Sequence, residues 1–177
     1  MYKDKDYIKR MNKTYSKTFS QKSILPKYIA SVFKDMKFVK MLDYGAGKDM
    51  FGTMMLRDEG FNVTAYDIGD NCILGLHDPM ALQKKYDLVF ASNVINTQLS
   101  HEDILYVLKE IYLVMENHLG YGYSTFYCNL PESPRKCDID NIKLRELLSE
   151  VFGKENKAIL NVENSIHRCY KFTGRDK

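Results

Sequence analysis

The sequence predicts an α/β fold: a doubly wound, mostly parallel sheet that ends in an antiparallel hairpin. Three observations carry this. Short apolar runs suited to buried strands alternate with segments of helical period. Three of those runs end in polar residues, Asp43, Asp67 and Asn93, which would share the carboxyl edge of such a sheet. The last two runs, 157–162 and 166–172, are separated by Glu163-Asn164-Ser165, which is hairpin spacing.

Residues 1–22 read as a basic N-terminal extension and 23–177 as one domain, because no repeat or low-complexity linker divides them. Lys3, Lys5, Lys9, Arg10, Lys13, Lys17 and Lys22 give the extension cations that could contact nucleic-acid phosphates. Asp4 and Asp6 among them favour the plainer reading of a solvated, frayed tail.

A helix is predicted over 23–37, where Leu25, Tyr28, Ile29, Val32 and Phe33 recur at helical spacing and Pro26 suits the first turn. Phe38 to Leu42 fits a short buried strand that ends at Asp43. In the following loop, Gly45 and Gly47 let the chain reverse and come close to a ligand. Met50 to Glu59 suits a helix, and Phe61 to Tyr66 a second strand that terminates at Asp67. The stretch 68–85 contains Gly69, Gly75 and Pro79 and has no clear period, so a third strand there is short or missing. Tyr86 to Ala91 is a buried strand with the polar tip Ser92-Asn93.

Ser100 caps the next helix, with Glu102 and Asp103 in its first turn, Ile104, Leu108 and Ile111 on its apolar face, and Gly120 at its end. Tyr121 to Asn129 is strand-like and Pro131 to Lys136 a loop whose Arg135 and Lys136 could meet an anionic substrate. Ile139 to Phe152 is helical, with Leu144, Leu147, Leu148 and Val151 inward and Gly153 closing it.

Composition bounds the function. A hydrophobic fraction of 45%, a charged fraction of 28% and a mean hydropathy of -0.38 are those of a soluble protein, and no run approaches a membrane span. Met1 to Asp6 carries no signal or transit pattern, so a cytoplasmic location is expected. Cys72, Cys128, Cys137 and Cys169 lack CxxC spacing, which speaks against a disulfide scaffold and a zinc ribbon. Convergence of Cys128, Cys137, His167 and Cys169 on zinc is the alternative, and the expectation is no metal.

The glycine turn reads as a ligand site, and the acids around it narrow the ligand. A dinucleotide's pyrophosphate would be repelled by Asp43, two residues before Gly45. The same carboxylate suits a ligand with an ammonium and a sulfonium, while Asp67 holds a ribose diol. S-adenosylmethionine has those groups.

At these residues the chain resembles the class I S-adenosylmethionine-dependent methyltransferases, which have a Rossmann-like fold. Their first motif, roughly D/E-x-G-x-G-x-G, appears as Asp43-Tyr44-Gly45-Ala46-Gly47-Lys48-Asp49, with Asp49 in place of the third glycine. Ala65-Tyr66-Asp67 is similar to the ribose-binding acid and Tyr86 to Val94 to the fourth-strand motif; the likeness spans about residues 23 to 172. Within the family it looks most like short methyltransferase-like proteins of phages and bacteria, through Asn93 to Asn96 and Ser133 to Lys136.

The resemblance implies S-adenosylmethionine as cofactor, held by Asp43, Tyr44, Gly45, Ala46, Gly47, Asp67, Ile68, Asp78 and Asn93, with Asp78 in His77-Asp78-Pro79 at the adenine. Asn96 and His77 are candidates for catalytic contact; a surface imidazole is the plainer reading of His77, while for Asn93 and Asn96 backbone capping weighs equally with substrate contact. The tip Ser92-Asn93-Val94-Ile95 lacks the D/N/S-P-P-Y/F pattern and there is no Pro-Cys pair, which disfavours DNA base methylation. The acceptor is left as a small molecule, a protein or a compact RNA element. The rival reading is a noncatalytic or cofactor-degrading S-adenosylmethionine binder, such as a phage factor acting against host methylation or restriction.

Overall fold

The computed structural model describes residues 5–12, 24–115, 123–132, 135–153, 159–161 and 166–172. Among them are the strands β1 (Lys40–Tyr44), β2 (Asn62–Tyr66), β3 (Leu88–Ala91), β4 (Tyr123–Asn129), β5 (Ile159–Asn161) and β6 (Ile166–Phe172). The helices are α1 (Lys5–Asn12), α2 (Ile24–Val32), α3 (Phe51–Asp58), α4 (His101–Val114) and α5 (Asn141–Phe152). The sheet runs β2-β1-β3-β4-β6-β5; the first four strands are parallel, and β6 is antiparallel to both β4 and β5. The predicted mostly parallel sheet with a closing hairpin is therefore present, although Glu163 to Ser165 lie outside the described residues.

Alternation along the strands assigns each residue to a layer. Met41, Val63, Leu88, Phe90 and Tyr127 pack with Leu25 and Ile29 of α2 and Leu56 of α3. Their sequence neighbours Leu42, Val89, Ala91, Phe126 and Cys128 pack with Ile104, Leu108 and Ile111 of α4 and Leu144 and Leu148 of α5. Both faces of the sheet are thus covered, which is why the central strand Leu88–Ala91 is apolar throughout. Among the described residues no helix is long and apolar enough to cross a membrane.

Several ends were legible. The Ser100 hydroxyl accepts from the Asp103 amide at 3.1 Å and caps α4, and Gly153, at φ 89°, ends α5. Gly120 lies outside the described residues. The 23–37 helix is shorter than predicted, ending at Val32, with Phe33 buried in the turn that follows. No third strand forms between Asp67 and Lys85 among the described residues; two 3₁₀ turns, Gly69–Asn71 and Ala81–Gln83, take its place.

Two differences bear on the site. β1 runs two residues past the predicted strand, because its ladders with β2 and β3 continue to the pairs Tyr44–Tyr66 and Asp43–Phe90. Asp43 and Tyr44 consequently lie in the strand and point to opposite faces. Part of the predicted frayed tail, Lys5–Asn12, is a helix with Tyr7 and Met11 buried, and it packs on the Gly69–Asn71 turn. Lys5, Lys9 and Arg10 lie on its exposed side.

Candidate functional site

The chain passes from β1 outward to β2 and then crosses back to β3 on the other side of β1, so connections diverge between β1 and β3. Ligands of open α/β sheets sit outside the carboxyl ends of the strands at such a point. A cavity of about 160 Å³ lies there. Tyr44, Gly45, Gly47, Tyr66, Asp67 and Ile68 line it from the ends of β1 and β2, and Asn93, Val94, Thr97 and Gln98 from the segment after β3. Asn71, Val107 of α4, and Tyr7 and Met11 of α1 complete the wall. Of the residues predicted from the sequence, Tyr44, Gly45, Gly47, Asp67, Ile68 and Asn93 share this cavity.

The glycine loop is held by its backbone. The amides of Gly45 and Ala46 both donate to the Tyr66 carbonyl, at 2.8 and 3.0 Å. The Gly47 amide donates to Asp67 Oδ2 and the Ile68 amide to Asp67 Oδ1, each at 2.7 Å. Ala46 supports the loop without lining the cavity.

His77 departs from the expected surface imidazole and from the role of general base. It is buried; its Nδ1 accepts from the Ile73 amide at 3.0 Å, so Nε2 carries the proton and donates to the Gly47 carbonyl at 3.0 Å. With both ring nitrogens engaged it braces the Gly47 peptide from the side opposite Asp67, a structural role.

Tyr44 and Tyr66 form a tilted aromatic pair with centroids 5.3 Å apart. The Tyr44 hydroxyl donates to Glu110 Oε2 of α4 at 2.5 Å. Burial, and then the Glu110 charge, push the Tyr44 phenol well above its ordinary range, and Tyr106 on the same helix is raised to about 12 by the same two causes. These phenols stay protonated and present neutral aromatic faces.

Asp43 does not line the cavity and so does not meet a ligand's ammonium directly. One step before Tyr44 on the strand, it turns to the α3 face, where Oδ2 accepts from the Thr53 hydroxyl at 2.8 Å. Burial, aided by the Asp67 charge and opposed by the Thr53 bond, raises its pKa from 3.8 to about 7. A proton held more tightly folded than unfolded stabilises the fold fully below pH 4, and that contribution is lost as pH rises to 7. Buried His167 acts oppositely: burial lowers its pKa from 6.5 to about 4, so its contribution is lost as pH falls through that window. Between pH 4.5 and 6 the two slopes, each about 1.4 kcal/mol per pH unit, oppose one another. The Asp43→Asn variant, followed by urea denaturation, should therefore lose stability on acidification where the parent chain stays level; parallel curves would refute this balance.

Asp78, predicted at the adenine, points elsewhere. Its carboxylate accepts from the Met80 amide at 2.8 Å and pairs with Lys84 at 2.6 Å, away from the cavity. Asn93 takes a left-handed φ of 57°, a conformation asparagine tolerates. Its amide donates to Asn129 Oδ1 at 2.7 Å, and Asn129 Nδ2 returns a bond to Asn93 Oδ1 at 2.6 Å. Asn96, proposed for substrate contact, is buried in a 3₁₀ turn below the cavity lining, its carbonyl accepting from the Lys136 amide. Arg135 bonds the carbonyls of Pro131 and Ile139, which ties it to its own loop; Ser133 and Pro134 lie outside the described residues. No group of three metal-ligating side chains converges among the described residues, and the Cys169 side chain is not among them.

Sequence reasoning missed Tyr7, Met11, Gln98, Val107 and the bracing partners Asn129 and Glu110. Only Tyr7 and Met11 left a local signal: two apolar residues four apart between charged ones.

No family model and no curated protein matches the sequence. Solved structures do. A TehB-like S-adenosylmethionine-dependent methyltransferase from Corynebacterium glutamicum is 13% identical, with a TM-score of 0.54 over 96% of this chain and 97% of its own. Magnesium protoporphyrin IX methyltransferase from Synechocystis, solved with bound S-adenosylmethionine, is 14% identical, with a TM-score of 0.52 over 94% of this chain and 90% of its own. A candidate O-methyltransferase from Nostoc punctiforme is 13% identical at a TM-score of 0.57; 84% of this chain spans 56% of that longer one. The fold is that of the class I S-adenosylmethionine-dependent methyltransferases.

Proposed function

We propose that this chain is an S-adenosylmethionine-dependent methyltransferase that binds its cofactor in the cavity between the ends of β1 and β3. The observation that carries the reading is the Asp67-anchored glycine loop, which lines that cavity together with a pair of neutral tyrosines. The residues fit two of the cofactor's groups, the ribose and the sulfonium. Asp67 lines the cavity at the end of β2, where it anchors the Gly47 and Ile68 amides, and a carboxylate at that strand end suits ribose hydroxyls. The faces of Tyr44 and Tyr66 attract a cation such as a sulfonium without presenting a counter-anion that would neutralise it.

The cofactor brings its own leaving group, so the protein's share is to align an acceptor behind the methyl and exclude water. A cavity roofed by Tyr7 and Met11 suits that share, and it needs no acid, base or metal among the lining residues. Calorimetry with S-adenosylmethionine and S-adenosylhomocysteine tests the binding, and acceptor-dependent formation of S-adenosylhomocysteine tests the transfer. Micromolar binding of both is expected. Binding of neither ends the proposal, and cofactor breakdown without an acceptor would favour the cofactor-degrading reading instead.

A further inference from the structure

Resting on that reading, we infer that the methyl acceptor is a small, uncharged, largely apolar molecule with one nucleophilic hydrogen-bonding group, such as a phenol or a thiol, and not a nucleic acid or a protein. Beyond the glycine loop and Asp67, the cavity wall includes Tyr7, Met11, Tyr44, Tyr66, Ile68, Val94 and Val107, with Asn71, Asn93, Thr97 and Gln98 as its uncharged polar members. Rings, a thioether and branched aliphatic side chains dominate it, and Tyr44 is held neutral by burial and by its bond to Glu110. Such a surface gains by covering apolar area and offers few partners to a polar ligand.

The charge of the cavity wall speaks against a polyanion. Among the described residues that line the cavity none is lysine or arginine, and the single charged side chain is Asp67. Single-stranded nucleic acid is bound through a cationic groove that tracks its phosphates. Here Arg10 is paired with Asp103 at 3.1 Å, and Arg135 is bound to its own loop.

The roof excludes a chain-like acceptor. α1 is fastened along its length: Tyr7 donates to Gln98 Oε1 at 2.9 Å, Arg10 pairs with Asp103, and Asn12 Oδ1 accepts from the Asp70 amide at 3.2 Å. The helix lies directly on the Gly69 backbone, where a Cβ would fall 2.1 Å from Asn12 Oδ1 and 3.0 Å from Ile8 Cγ2. A polymer segment could reach the methyl only by displacing this helix and exposing Tyr7 and Met11, whereas a single ring needs no such displacement.

The polar atoms of the wall limit the acceptor to one polar head. Thr97 Oγ1 and Gln98 Nε2 both donate to the Val94 carbonyl, at 2.7 and 2.9 Å, and Gln98 Oε1 is taken by Tyr7. Asn71 and Asn93 supply the amides that can meet the acceptor's polar head, and polar groups beyond their reach would be buried without matching partners. In the transfer, a lone pair on the acceptor oxygen or sulfur forms the bond to the methyl carbon and the methyl–sulfonium bond breaks. Its electron pair stays on sulfur to give S-adenosylhomocysteine, and the acceptor's proton passes to water.

The test uses the full chain in two steps. S-adenosylhomocysteine is titrated first, and its binding reports on the proposed function alone. The complex is then titrated with p-cresol and with thiophenol, and methyl-labelled S-adenosylmethionine is offered with either compound, with bulk tRNA and with a mixed peptide library. Submillimolar binding of p-cresol or thiophenol, label transfer to it, and at least a fivefold loss of its affinity in Met11→Ala support the inference. Label in tRNA or peptide, or no binding of either aromatic to a complex that does form, overturns it and leaves the proposed function standing. Failure to bind S-adenosylhomocysteine removes both.

Discussion

Replacing Asp67 with alanine is expected to weaken S-adenosylmethionine binding about 100-fold while the chain stays folded. The carboxylate accepts from the Gly47 and Ile68 amides, at 2.7 Å each. It thereby fixes the loop after β1 against the end of β2, and it faces the cavity where a ribose would lie. Hydrogen bonds to a charged group contribute about 1.5–3 kcal/mol each. Loss of the acceptor for a diol, with a loop no longer anchored, amounts to about 3 kcal/mol, or two decades in affinity. Asp67→Asn keeps one carbonyl acceptor and loses the charge, so an intermediate loss of about tenfold is expected. Calorimetry on the two variants decides the matter: affinities within threefold of the parent chain would mean that Asp67 braces the loop and touches no ligand.

The fold was legible because its signals are local. Alternating apolar runs, the Ser100 cap and the Gly153 stop each act within a few residues, and each is present. The cavity wall was legible where it is backbone, at Gly45 and Gly47, and where a side chain follows a strand end, at Asp67 and Asn93. It was illegible where a side chain's direction depends on a residue distant in sequence. Asp43 and Tyr44 are neighbours, and one extra pair of ladder residues sends them to Thr53 and Glu110 on opposite faces. His77 looked like a surface imidazole because its two partners, the Ile73 amide and the Gly47 carbonyl, are backbone atoms that no sequence pattern announces. The eight residues of α1 are too few to be helical alone. They are ordered by what lies under them, the Gly69 backbone and Gln98, so composition alone presents them as a basic tail.

This division has a consequence for the reaction. The groups that hold the loop, Asp67 and His77, act on the two peptide units that flank the Gly47 Cα, one on its amide and one on its carbonyl. The rest of the cavity wall is aromatic, aliphatic or uncharged polar. Under the proposed function Asp67 would act on the cofactor and Met11 on the acceptor, and the effects of replacing the two should separate.

Gly45→Ala is the substitution expected to cost the fold most at the site, about 2–5 kcal/mol, through two mechanisms that can be told apart. At φ 81° the backbone is left-handed, a region in which a Cβ costs about 1–2 kcal/mol. The added Cβ would also fall 2.4 Å from Val94 Cγ2, because the loop after β1 and the segment after β3 touch where the connections diverge. Forcing an extra carbon into a packed contact costs about 1–3 kcal/mol more. The remaining neighbours of that Cβ within 4 Å are Val94 Cβ and Cγ1, both at 3.6 Å, so the clash belongs to one side chain. In a Val94→Ala background the steric part should vanish, and Gly45→Ala should then cost about 1–2 kcal/mol, a coupling of similar size in a double-mutant cycle. Gly47→Ala is the internal control: its φ of 71° is equally left-handed, yet nothing lies within 4 Å of its Cβ, so it should show the backbone cost alone. Urea denaturation of the four variants measures all three terms, and equal costs for Gly45→Ala with and without Val94 would show that the two loops do not meet as described.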